Sequence, residues 1–174
     1  MHAVKTRHFL QLVLLSALWG ASFLFIRVAS PVLGPNVMAA LRIGLATLTL
    51  MGIMRWAGEP WPWRHWRELL GLGTLTVAAP FLLYAWAALH LPAGYSSLLN
   101  TMAVPFGVIA AAWMKEDTLS ARKWAGCLCG FAGVALIVQL GPVEPNSAVL
   151  LAAGACVTAA ACYGLSLTWM KRAT

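Results

Sequence analysis

Six apolar stretches of 17 to 24 residues recur along the chain, at 9–28, 37–54, 69–89, 95–114, 124–140 and 147–170, with short polar breaks between them. A helix rises about 1.5 Å per residue, so roughly 20 residues cross a hydrocarbon core about 30 Å thick. Every stretch therefore has the length of a membrane span. Composition removes the soluble alternative: 10% of the 174 residues are charged and 61% are apolar, whereas about a quarter of a soluble domain is charged. The same figures exclude a disordered chain, which is rich in charge and poor in apolar residues. The breaks carry turn chemistry, as Ser30-Pro31, Gly34-Pro35-Asn36, Gly58-Glu59-Pro60, Leu91-Pro92-Ala93-Gly94 and Gly141-Pro142. The sequence predicts an all-α polytopic membrane protein of six transmembrane helices.

The basic residues orient those helices. Ten of the twelve Lys and Arg precede the first stretch, follow the last, or lie in the second and fourth breaks: Lys5, Arg7, Arg55, Arg64, Arg67, Lys115, Arg122, Lys123, Lys171 and Arg172. The other breaks carry none. Basic residues concentrate in cytoplasmic loops, so both termini are expected in the cytoplasm of a cell (inner) membrane. The net charge of +7 is thereby explained by topology and lipid contact, and no nucleic-acid partner is expected. Seven of the nine tryptophans lie near the same interface, and Trp61-Pro62-Trp63-Arg64-His65-Trp66-Arg67 reads as a segment lying on the headgroups. A cleaved secretory signal is not expected, because the first stretch is too long and contains Trp19 and Arg27.

A shift of 144 positions lays the sixth stretch over the first. Ala17 meets Ala161, Trp19 meets Tyr163, Gly20 meets Gly164, Ser22 meets Ser166 and Arg27 meets Lys171. The two copies are five spans apart and so cross the membrane in opposite directions, as the halves of an inverted-repeat transporter do. The expected division is a five-helix repeat over 1–140 and, over 141–174, the first helix of an incomplete second repeat. The four further helices of such a repeat would need about 120 residues at roughly 20 per span plus loops.

Trp19-Gly20-Ala21-Ser22-Phe23 and Ala40-Leu41-Arg42 are followed by Leu91-Pro92-Ala93-Gly94-Tyr95-Ser96-Ser97-Leu98-Leu99, Pro105, Lys115-Glu116-Asp117-Thr118-Leu119-Ser120 and Gly133-Val134-Ala135-Leu136-Ile137. In order and spacing these pieces resemble the EamA branch of the drug/metabolite transporter superfamily. The resemblance implies two inverted five-helix repeats around a central cavity, working by alternating access. It also implies export of amino acids or other small metabolites. By that standard the chain is expected to be truncated. The alternative is a non-transporting or inactive membrane module that needs a partner, a second copy or the missing second repeat, to complete the fold.

Several residues are candidates to line a substrate path. Pro80 and Pro105 interrupt spans near their middles, freeing the Thr76 and Thr101 carbonyls either to fit a kink or to face a site. Ser97, Asn100, Thr101 and Pro105 share one face at helical spacing. Tyr84 follows Pro80 by one turn, and Trp19 and Ser22 are nearly one turn apart. Together they suit a small amphipathic solute, although Asn100 has a structural alternative in bonding a neighbouring helix. Arg42 lies about 8 Å inside its span and suits either backbone carbonyls or a substrate carboxylate, whereas Arg27 is expected to reach headgroups. No catalytic constellation, cofactor motif or metal-ligand spacing is present, so no enzymatic role is expected. Cys127, Cys129, Cys156 and Cys162 read as packing residues. Gly126, Gly130 and Gly133 in the fifth stretch, and Ala148, Ala152, Cys156, Ala160 and Gly164 in the sixth, read as close-packing faces.

Overall fold

Helix begins at Thr6, just ahead of the first apolar stretch, and recurs along the described residues as far as Ala173. The computed structural model describes residues 6–61, 63–116, 118, 120–140, 143, 144 and 146–173. Lys5, Pro62, Asp117 and the Gly141-Pro142 turn lie outside the described residues. Eight α-helical segments occur among the described residues: α1 (Thr6–Leu33), α2 (Pro35–Ala57), α3 (Trp66–Gly73), α4 (Ala79–Ala87), α5 (Ala93–Asn100), α6 (Ala103–Trp113), α7 (Ala121–Leu140) and α8 (Ser147–Ala173). Segments α3 and α4 form one span and α5 and α6 another, so the eight make six membrane-length helices. Five of these, Thr6–Leu33, Pro35–Ala57, Trp63–Ala87, Ala93–Trp113 and Ser147–Lys171, are long and apolar enough to cross a bilayer by length and composition. The sixth is α7. The protein is an all-α polytopic membrane protein, and its exposed Leu, Val, Phe and Trp surface is what a bilayer solvates.

The ends of these helices follow from their punctuation. Gly34 takes φ 78° between α1 and α2, and Pro35 opens α2 at a position where a missing N–H has no consequence. Gly58, left-handed at φ 71°, closes α2 by donating to the Arg55 carbonyl. Asn146 caps α8, its Oδ1 accepting the Val149 N–H at 2.9 Å.

The two mid-span prolines are handled differently. Ahead of Pro80 the chain widens into a π turn over Thr74–Ala78, and the Ala79 N–H reaches back to the Thr74 carbonyl. This looser turn accommodates a residue that has no N–H for the carbonyl four positions earlier. Ahead of Pro105 the helix breaks outright at Thr101–Met102. The Thr101 carbonyl then accepts the Val104 N–H at 3.2 Å, so it is not the free acceptor expected from the proline's position alone.

Helix α8 organises the packing. It lies chiefly against α6 and α4, and also against α5. Its small residues Ala152, Cys156, Ala159 and Ala160 are fully buried. The every-fourth-residue face is thus a seam within the chain, ending where Gly164 crosses Gly107. On α7 only Gly130 makes such an approach, toward Met102 and Pro105; Gly126 and Gly133 face open space. Further along, the Trp169 ring rests on Gly71 and is half-buried, more a packing residue than a free interfacial anchor.

Arg27 departs from the headgroup role expected of it. Its guanidinium donates to the Ala88 carbonyl, at the C-terminal end of α4, beside the buried cluster of Ile26, Ala85 and Ala88. A cation there satisfies a terminal carbonyl and complements the negative end of the helix dipole. Arg27→Ala is expected to destabilise the fold by about 1.5–3 kcal/mol, the range for a hydrogen bond to a charged group. Thermal unfolding in detergent, with Arg27→Lys as the charge-retaining comparison, measures this. Equal stability of wild type and Arg27→Ala would show that the contact contributes nothing.

Candidate functional site

Tyr84 is the residue around which the candidate site is built. The widened turn before Pro80 sets the rotation of α4, which carries Tyr84 into the bundle, where it is 2% exposed. Its hydroxyl donates to Asn100 Oδ1 at 2.9 Å and lies 3.5 Å from the Cys156 carbonyl. One phenol thereby ties the end of α5 to α8 across the bundle. Asn100 is the last residue of α5, immediately before the break, and is half-buried. Nearby, the Cys156 thiol points to Ser96 Oγ at 3.8 Å, linking the same two helices.

Aromatic rings surround this polar pair. Phe23 of α1 meets Tyr84 edge-on with centroids 5.2 Å apart, and Tyr163 of α8 stacks on Tyr84 at 6.3 Å. Trp19 meets Tyr163 edge-on at 6.4 Å. These spacings fall in the favourable range for aromatic pairs, each worth about 0.5–1.5 kcal/mol beyond area burial. Arg42 of α2 sits 4.1 Å above the Phe81 ring and within electrostatic range of Tyr163. A cation held over an aromatic face loses less on leaving water than a bare one does.

The candidates therefore divide. Trp19, Tyr84, Asn100 and Arg42 converge through Tyr163 and the rings beside it. Ser22, half-buried, precedes Phe23 on α1, and Ser97 is half-buried on α5. Thr101 is exposed, and its hydroxyl donates to the Leu98 carbonyl of its own helix at 2.6 Å. It does not join Asn100, because the break rotates it off the α5 face. Trp86 meets His90 at 5.3 Å and also packs against the buried cluster that contains Tyr84 and Phe23. Pro80 and Pro105 are both buried. Three participants were not singled out from the sequence: Tyr163, Phe23 and Phe81. Tyr163 carried a signal, as the counterpart of Trp19 in the 144-residue shift. Phe23 stands in the same motif as Trp19, and Phe81 had no distinguishing mark.

The arrangement offers one hydroxyl–amide pair, one cation and a wall of aromatic rings, a set that can bind and orient a solute. Among the described residues no group of three or more His, Cys, Asp or Glu is placed to hold a metal.

Residues 8–139 match the EamA-like transporter family. An uncharacterized transporter of Archaeoglobus fulgidus is 32% identical over 153 residues, a match covering 81% of this chain and 49% of that protein. A second uncharacterized transporter of the same organism is 24% identical over 128 residues, covering 74% of this chain and 46% of its own length. The chain spans about half the length of the curated relatives it matches. No solved structure matches it significantly.

Proposed function

The chain belongs to the EamA-like transporter family, and on that premise we propose that it supplies the substrate-facing half of an exporter of amino acids or similar small metabolites. The protein would lie in the cell (inner) membrane with both termini in the cytoplasm, following the bias of its basic loops. Transport is the activity of the complete protein, in which a second repeat, in further chain or a second copy, closes the cavity and permits alternating access.

The observation that carries this reading is the meeting of Trp19 with Tyr163 beside the Tyr84–Asn100 pair. The two rings occupy equivalent places in the proposed repeats, 144 residues apart. In an inverted repeat such equivalents approach one another near the pseudo-twofold axis, where transporters of this plan bind their substrates. Tyr84 is covered and Trp19 is 50% exposed, so a solute would meet Trp19 and Tyr163 first. Trp19, Ser22, Tyr84, Ser97, Asn100, Thr101 and Arg42 remain the proposed substrate-binding set, with Tyr163 added. In this set Tyr84 and Asn100 orient the polar end of the solute, Arg42 attracts its carboxylate, and Thr101 reaches it only if the break at Thr101–Met102 closes.

The reading is tested by transport of a panel of radiolabelled amino acids and neutral analogues in proteoliposomes holding the complete protein. At least one solute should move faster than in empty vesicles. Arg42→Gln should then lower kcat/KM at least tenfold for carboxylate-bearing solutes, about 1.4 kcal/mol per decade, and leave neutral analogues unaffected. Unchanged kcat/KM for the carboxylates would remove Arg42 from the site. Failure of every solute would remove the transport assignment.

A further inference from the structure

Helix α2 packs on α1 and α4, but toward the end that carries Arg55 it parts from α3, and three cavities follow one another along the gap. The outermost, about 370 Å³, is lined by Met51, Gly52, Arg55, Gly58, Glu59 and Trp61. Trp61 also lines the next, about 580 Å³, with Trp63, Trp66, Leu69, Leu70 and Thr47. Thr47, Leu69 and Leu70 then lead into the deepest, about 310 Å³, which reaches Ile43, Val77 and Ala78. Thr47, Leu69 and Leu70 join the two deeper cavities into one apolar groove, and the polar cavity at Arg55 adjoins it at Trp61.

We infer that this groove is a binding site for an anionic phospholipid, with its phosphate at Arg55 and an acyl chain lying between α2 and α3. Three observations fit that occupant together. The first is length. From Arg55 to Ile43 is twelve residues along α2, about 18 Å at 1.5 Å per residue. One leaflet of hydrocarbon is about 15 Å deep, half of a 30 Å core. The groove thus runs from the headgroup level to about the midplane.

The second is the order of chemistries. Charge occurs only at the mouth, and three indoles stand at the level where amphipathic rings partition. Below them, Thr74 lines the groove and spends its hydroxyl on the Leu70 carbonyl at 2.8 Å.

The third is sign. Arg55 has no ion pair among the described residues. A second cation, Arg67, lies 5.4 Å over the ring of Trp66, a wall of the groove. Glu59 lines the mouth beside Arg55, and Glu68, 3.5 Å from the His65 ring, is exposed. From Arg55 to Glu68 the chain carries three arginines, Arg55, Arg64 and Arg67, against the two carboxylates Glu59 and Glu68, a net positive charge that favours an anionic headgroup over a zwitterionic one.

The test uses the full chain in phosphatidylcholine bilayers containing a small fraction of brominated lipid, which quenches tryptophan on contact. Brominated phosphatidylglycerol should quench at about fivefold lower mole fraction than brominated phosphatidylcholine, since a basic residue near the surface is worth about 1 kcal/mol toward anionic lipid. Arg55→Gln should bring the two lipids toward equality. Gly52→Leu, at a position where an added Cβ meets nothing within 4 Å, should block the mouth and reduce quenching by both. Equal quenching by the two lipids in the wild type would leave only ordinary boundary lipid and overturn the proposal. So would protection of Trp61, Trp63 and Trp66 from either lipid, which would mean that protein covers the groove.

Discussion

Gly164→Ala is expected to lower thermal stability sharply, whereas Gly20→Ala at the equivalent place in the proposed repeat is expected to leave it unchanged or slightly raised. A Cβ on Gly164 would stand 2.5 Å from the Gly107 nitrogen, 2.7 Å from the Phe106 carbonyl carbon and 2.8 Å from Phe106 Cβ. None of these is the tip of a flexible side chain, so relief requires α6 and α8 to separate. Because α8 is also seated on α4 and α5, a displacement at Gly164 is transmitted along the seam of Ala160, Cys156 and Ala152. Overpacking of this kind costs about 1–3 kcal/mol, and for a chain of this size each kcal/mol moves the midpoint by roughly 2–4 °C. A Cβ on Gly20 meets nothing within 4 Å, and alanine is the better helix former. Unfolding of the two variants in detergent, side by side, decides the matter. Equal midpoints would mean that the α6–α8 crossing is looser than its geometry indicates.

That contrast bears on what could be read from the sequence and what could not. Span length and charge bias need only composition along the chain, and the six helices stand where the apolar stretches predicted them. The small-residue face of α8 was also legible, because a period of four is a property of the sequence; its partner was not, because packing against α4, α5 and α6 is a tertiary fact. Thr101 shows the reverse failure. A helical wheel placed it beside Asn100 and Ser97, but the wheel assumes an unbroken helix, and the chain breaks at Thr101–Met102. Likewise the π turn before Pro80 has no sequence signature apart from the proline itself. Tyr163 lay between these cases. The shift that paired it with Trp19 contained the contact, yet a pairing in sequence becomes proximity only if the two helices meet at the centre of the bundle.

Tyr84→Phe isolates one hydroxyl and is expected to impair transport by the complete protein more than it impairs folding. The substitution keeps the ring between Phe23 and Tyr163 and removes the donor to Asn100 Oδ1. A half-buried amide oxygen left without its partner costs about 1–3 kcal/mol, which at 1.4 kcal/mol per decade is a factor of roughly 5 to 150. If the pair only braces α4 against α5, that loss appears in the unfolding midpoint, and transport per folded molecule is retained. If the pair orients a solute, kcat/KM falls by that factor in molecules that remain folded, because an unpaired amide at the site can no longer be held in register. Asn100→Leu supplies the second arm. In the bracing case the double variant should recover stability relative to Tyr84→Phe, since no polar group is left unpaired. In the binding case it should not recover transport, because the groups that meet the solute are gone. The cycle separates the two roles through their interaction energy, and recovery of transport by the double variant would remove Tyr84 and Asn100 from the substrate site.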